Sequence, residues 1–123
     1  MSATVRPDPF SNTQIETPRG GLPAYVGRPS QPGPWPGVVV IHDAFGMTTG
    51  AKRHVDWLAE QGFLTAAPSL FHAMSGGMMA CVRGAFREVA ARSGPMFDDI
   101  EATREWLASQ EGCSGKVGVI GSR

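Results

Sequence analysis

The apolar positions of this chain fall into short continuous runs separated by stretches of helical period. Gly37-Val-Val-Val-Ile41 is continuous and β-branched, as expected of a strand covered on both faces in a parallel sheet. From Thr49 to Gln61, Ala51, Val55, Leu58 and Ala59 recur at i, i+4, i+7 and i+8, while Lys52, Arg53, Asp56 and Glu60 take the other side. That spacing predicts an amphipathic helix ended by Gly62. Phe63-Leu-Thr-Ala-Ala67, stopped by Pro68, has the length and composition of a second buried strand. Residues His72 to Gly77 read as loop and Val82 to Arg92 as a helix carrying Val82, Phe86, Val89 and Ala90. A longer helix is predicted from Met96 to Gln110, with Phe97, Ile100, Thr103 and Leu107 on one face. Asp98, Asp99 and Glu101 stand near its start, where the helix dipole favours acids, and Gly112 is its stop. Lys116-Val-Gly-Val-Ile120 is a third buried strand.

Eight of the ten prolines precede residue 37, so the N-terminal region should consist of short extended pieces joined by turns. Thr13 to Thr17 and Leu22 to Gly27 flank Pro18-Arg19-Gly20-Gly21 and read as a β-hairpin. Strands and helices alternating at this spacing predict an α/β fold, a mostly parallel sheet with helices on both faces. Residues 1–12 read as a flexible N-terminus and 13–123 as one domain, which suits a chain of 123 residues.

Charge narrows the partner. Eleven Lys and Arg balance eleven Asp and Glu, which leaves no electrostatic case for nucleic acid or an anionic membrane and points to a small molecule. Met1 to Phe10 lacks the apolar core of a secretory signal. Unbroken apolar runs such as Val38 to Ile41 fall far short of the roughly 20 residues that span a bilayer, so a soluble protein is expected. Cys81 and Cys113 are too few for a disulfide framework or a zinc site and read as free thiols of a reducing cytoplasm. No cofactor and no metal is expected.

Three segments, in order, carry a more specific signal: Val39-Val-Ile-His42-Asp43-Ala-Phe-Gly46, Ala67-Pro-Ser-Leu-Phe71 and Lys116-Val-Gly-Val-Ile-Gly121. With Ile15-Glu-Thr-Pro18 and Leu22-Pro-Ala-Tyr25 they resemble the dienelactone hydrolase family of the α/β-hydrolases, and the resemblance covers nearly all of the chain from residue 13 onward. It implies the N-terminal half of an α/β-hydrolase fold and hydrolysis of an ester or lactone through an acyl-enzyme.

By that resemblance, Asp43 takes the place of an acidic residue, usually Glu, beside the nucleophile, and the backbone N–H of Ala44 takes that of an oxyanion-hole donor. Asp is one methylene shorter than Glu. Capping of the turn or the following helix is the competing reading of Asp43. His42 is read as structural, because the superfamily's chain order of nucleophile, acid and histidine puts the catalytic histidine late. His54 and His72 show no partner pattern. Cys81 sits in a loop entering a helix and Cys113 just past a helix C-terminus; neither occupies the sharp strand-to-helix turn that a catalytic thiol needs in this fold.

That turn should follow the strand Lys116 to Ile120 as Gly-x-Cys-x-Gly or Gly-x-Ser-x-Gly. Gly121 matches the first glycine, Ser122 the variable position, and Arg123 falls where the nucleophile belongs. A guanidinium keeps its proton and is no nucleophile. Reading Ser122 as the nucleophile needs a one-residue shift off the turn. A phosphate-binding Walker loop around Gly115-Lys116 fails at Gln110 and Val117, and a dinucleotide fingerprint fails at Arg123. The expectation is a hydrolase by descent, truncated before its nucleophile and inactive alone. Half of a split enzyme completed by another chain, or a non-catalytic small-molecule binding module, are the alternatives. A strand edge left open would allow self-association.

Overall fold

A computed structural model of the chain describes residues 11–18, 20–42, 49–70 and 94–121. Its strands are β1 (Thr13–Thr17), β2 (Gly20–Gly27), β3 (Trp35–Ile41), β4 (Leu64–Pro68) and β5 (Cys113–Gly121), and its helices α1 (Thr49–Glu60) and α2 (Pro95–Ser109). The helix expected over 82–92 lies outside the described residues. The strands form one mixed sheet in the order β1-β2-β4-β3-β5. β3 pairs in parallel with β4 and β5, while β2 pairs antiparallel with β1 and β4, so β2 alone runs against the other four.

Chain handedness places the helices. The crossover from β3 to β4 moves to one side of β3, and the crossover from β4 to β5 returns past it to the other. Right-handed crossovers in opposite directions put their helices on opposite faces. Accordingly Val38, Val40 and Ala67 pack on Ala51, Val55 and Leu58 of α1. The alternate residues Val39, Leu64 and Ala66 pack on Ile100 and Leu107 of α2. β4 is buried at every position and β3 over Gly37–Val40, which accounts for their continuous rather than alternating apolar character.

The hairpin is tighter than the sequence indicates. Thr17 pairs with Gly20, whose φ of 109° favours glycine, so Gly20 and Gly21 belong to β2 and not to the turn. Asn12 fastens the start of β1, its side chain donating to Val26 O at 3.0 Å and accepting from Val26 N at 2.9 Å. β4 reaches Pro68 because a strand's last residue can lack a donor. β5 starts earlier than expected, since Cys113 pairs with Trp35 across a register irregularity before Gly37 meets Val117. It is not the buried strand expected, because among the described residues it has β3 on one side and no strand on the other. Gly115, at φ 89°, lies in that irregularity and gives the segment the look of a turn. Gly112 ends the α2 connection at φ 90°, and a Cβ there would stand 2.5 Å from the Trp35 ring.

α1 is also tied to the sheet by the Tyr25 hydroxyl, which donates to Asp56 Oδ1 at 2.7 Å under the Lys52 ammonium, 5.1 Å from the ring centre. That hydrogen bond first, then burial and the Asp56 charge, raise the phenol above its ordinary 10.0. The stabilisation is present while the phenol is protonated and is lost as pH rises through the folded-state value. Tyr25 is the single tyrosine, so tyrosinate absorbance follows it alone. The titration midpoint should lie above 10.0 and move down in Asp56→Asn; equal midpoints in the two proteins would remove the role assigned to Asp56.

Candidate functional site

In wound α/β sheets ligands bind outside the carboxyl ends of the parallel strands, where successive crossovers diverge. Here that place is set by β3 and β5, whose ladder runs through Val40↔Ile120 to Ile41↔Gly121. The two strands therefore end side by side at one level. The residues that follow them in sequence are His42-Asp43-Ala44 and Ser122-Arg123, the two segments singled out by motif. Asp43, Ala44, Ser122 and Arg123 lie outside the described residues, as do His72 and Cys81.

His42 is described, and its surroundings suit a structural role better than that of a base. The side chain is 6% exposed, and its Nε2 accepts the backbone N–H of Leu70 at 2.9 Å. A lone pair engaged by a buried amide is not available to a substrate proton. The sequence could not assign this partner 28 positions away, although Leu70 belongs to the Ala67-Pro-Ser-Leu-Phe71 segment on which the family resemblance partly rests. His54 lies on α1, half-buried.

Cys113 is the first residue of β5, half-buried, with Sγ accepting from Gly115 N–H at 3.5 Å. β5 runs parallel to β3, so Cys113 sits at the amino end of the sheet, the length of a strand away from where a nucleophile would serve. Two of the depressions among the described residues lie elsewhere. One, of about 250 Å³, is lined by Thr17 and the α2 carboxylates Asp98, Asp99, Glu101 and Glu105, toward the β1 edge and away from β5. The other, of about 390 Å³, lies between Arg28, Asp56 and Glu60, near the amino end of β4. Among the described residues no group of three or more His, Cys, Asp or Glu converges as a metal ion would require. No helix of the described residues is long and apolar enough to cross a membrane.

Comparison with known proteins gives the family. The profile of the Dienelactone hydrolase family matches residues 22–122. An Azospirillum brasilense protein assigned as a carboxymethylenebutenolidase is 30% identical over 106 residues, covering 84% of this chain and 45% of its own length. The carboxymethylenebutenolidase of Pseudomonas putida is 30% identical over 105 residues, covering 80% and 44%. A solved structure from Klebsiella pneumoniae subsp. pneumoniae, assigned as a dienelactone hydrolase, superposes with a TM-score of 0.68 at 25% identity over 89% of this chain and 47% of its own. The chain thus spans less than half the length of the relatives it matches. In sequence and fold alike, it belongs to the dienelactone hydrolase family.

Proposed function

We propose that these residues supply the amino-terminal part of a hydrolase that cleaves a small ester or lactone through an acyl-enzyme. The observation that carries this reading is the register pair Ile41↔Gly121. It ends β3 and β5 beside each other, so the segment leaving β3 and the segment leaving β5 start from one rim of the sheet. Acyl transfer needs that arrangement: a nucleophile on one segment, and on its neighbour a backbone N–H aimed at the oxygen that becomes negative in the tetrahedral intermediate. Ala44 would provide that N–H, and Asp43 an auxiliary carboxylate close to the nucleophile.

Nucleophile, acid and histidine are then supplied by the remainder of the family's catalytic unit, and residues 1–123 alone are inactive. Among the described residues the outer edge of β5 has no neighbouring strand, a place that further residues of the same chain or a second polypeptide would fill alike. The test joins residues 1–122 to the second half of a family relative, with cysteine at position 123, and measures hydrolysis of a dienelactone and an activated aryl ester. Activity that depends on that cysteine supports the reading. A folded hybrid that binds the lactone without turning it over would favour a binding module instead.

In the active hybrid, Asp43→Ala should lower turnover about a hundredfold, the lower end of the range usual for a positioned acid–base group. Loss of a cap alone would cost about 1 kcal/mol of stability and leave turnover in place. Rates and urea midpoints of the two proteins separate the roles.

A further inference from the structure

We propose that His42 is a positioning residue, a proton-free Nε2 acceptor that ties the carboxyl end of β3 to that of β4. The need for such a tie follows from the ladder. β3 and β4 share the register pairs Gly37↔Leu64, Val38↔Thr65 and Val39↔Ala66 and none beyond. From there the strands engage different neighbours: Ala67 and Pro68 pair with Tyr25 and Ala24 of β2, and Ser69 N–H donates to Pro23 O at 2.8 Å. Val40 and Ile41 pair with Ile120 and Gly121 of β5. The central seam of the sheet thus has no register pair beyond Val39↔Ala66 toward the rim at which the reaction is placed.

The His42 ring bridges that seam. Its Nε2 accepts from Leu70 N–H at 2.9 Å, in the interior, with the two residues 6% and 5% exposed. An interior amide must find an acceptor, and the ring meets that need where the ladder no longer does. Its chemistry also fixes its state. Nε2 can accept only with its lone pair free, so the ring proton sits on Nδ1; an imidazolium, with N–H at both nitrogens, would set donor against donor. Since the next residues are Asp43 and Ala44, the ring governs the direction in which β3 hands the chain to them. That last consequence rests on the function proposed above; the bridge itself does not.

The test uses the full chain, His42→Gln and His42→Leu, with two readouts independent of activity. Gln places Oε1 near the position of Nε2 and can accept, whereas Leu cannot. The first readout is hydrogen exchange of the Leu70 amide. His42→Leu should exchange it about tenfold faster or more, as loss of a buried hydrogen bond implies, and His42→Gln should restore most of the protection. The second is the 15N spectrum of chain labelled at its three histidines, in solution or sedimented. His42 should show a lone-pair Nε2 and a protonated Nδ1. A proton on Nε2 of the wild-type ring would overturn the proposal, as would Leu70 exchange equally fast in wild type and His42→Gln and His42→Leu. If His42→Leu does not fold, the wild-type spectrum and the His42→Gln exchange rate still decide. None of these outcomes depends on hydrolysis, so failure of the proposed function would leave them unchanged.

Discussion

Residues 1–123, purified as one polypeptide, should hydrolyse neither dienelactones nor activated esters above an equal concentration of an unrelated protein. Loss of the nucleophile alone costs on the order of a millionfold in turnover, and roughly a thousandfold of catalysis usually survives it through the oxyanion hole and substrate binding. That residue should be missing as well. In this fold one oxyanion donor is the backbone N–H of the residue after the nucleophile, which a polypeptide limited to residues 1–123 does not include. A general base, commonly worth about a hundredfold or more, has no candidate among the described histidines, because His42 Nε2 is engaged by Leu70 and His54 stands on α1. Cys113 lies at the amino end of its strand. A burst of product stoichiometric with mass-verified protein, with label retained on Ser122, Cys81 or Cys113, would overturn this account.

The periodicities that read correctly were those in which burial and spacing agree. The positions picked out between Thr49 and Gln61 are the ones α1 buries, and Ile100, Thr103 and Leu107 are inward on α2. The continuous runs at β3 and β4 are covered on both faces because the right-handed crossovers from β3 to β4 and from β4 to β5 run in opposite directions. Glycine was where boundaries moved. Gly20 and Gly115 have positive φ and look like turn residues, yet Gly20 continues β2 and Gly115 lies in the irregularity within β5. Local spacing cannot separate a bulge from a turn.

The site was legible as motif and not as geometry. His42 could be set aside as a base on chain order alone, but its partner is 28 residues away and is found only once β3 and β4 lie side by side. The same holds for Ile41↔Gly121, which joins segments 80 positions apart through an order of strands that no periodicity encodes. Asp43 and Ala44 rest on the resemblance, and their test is functional.

The second large expected effect is self-association of residues 1–123, as an isolated polypeptide, through β5. Its nine residues have β3 on one side and, among the described residues, no strand on the other. Natural edges are blunted by charge, proline, shortness or a bulge. β1, at the opposite edge, follows that practice: it is five residues long, carries Glu16 and is followed by Pro18. β5 has such features only toward its amino end, at Lys116 and the irregularity around Gly115, whereas Val117 to Gly121 contains no charged residue and no proline and keeps an unbroken register with β3. Val119 and Ile120 are 44% and 37% exposed on it. A formal net charge of zero offers no repulsion between copies. Sedimentation of the wild-type chain at micromolar concentration should therefore show assemblies. Val119→Lys should raise the concentration needed for assembly about tenfold or more, because in a strand pair related by a two-fold axis the substitution enters twice and sets like charges opposite each other. The melting temperature of dissociated chain should hardly change, since the side chain removed is already half in water. A wild-type chain that sediments as a sharply melting monomer, or a Val119→Lys chain that assembles as readily as its parent, would show that the β5 edge is covered or inert.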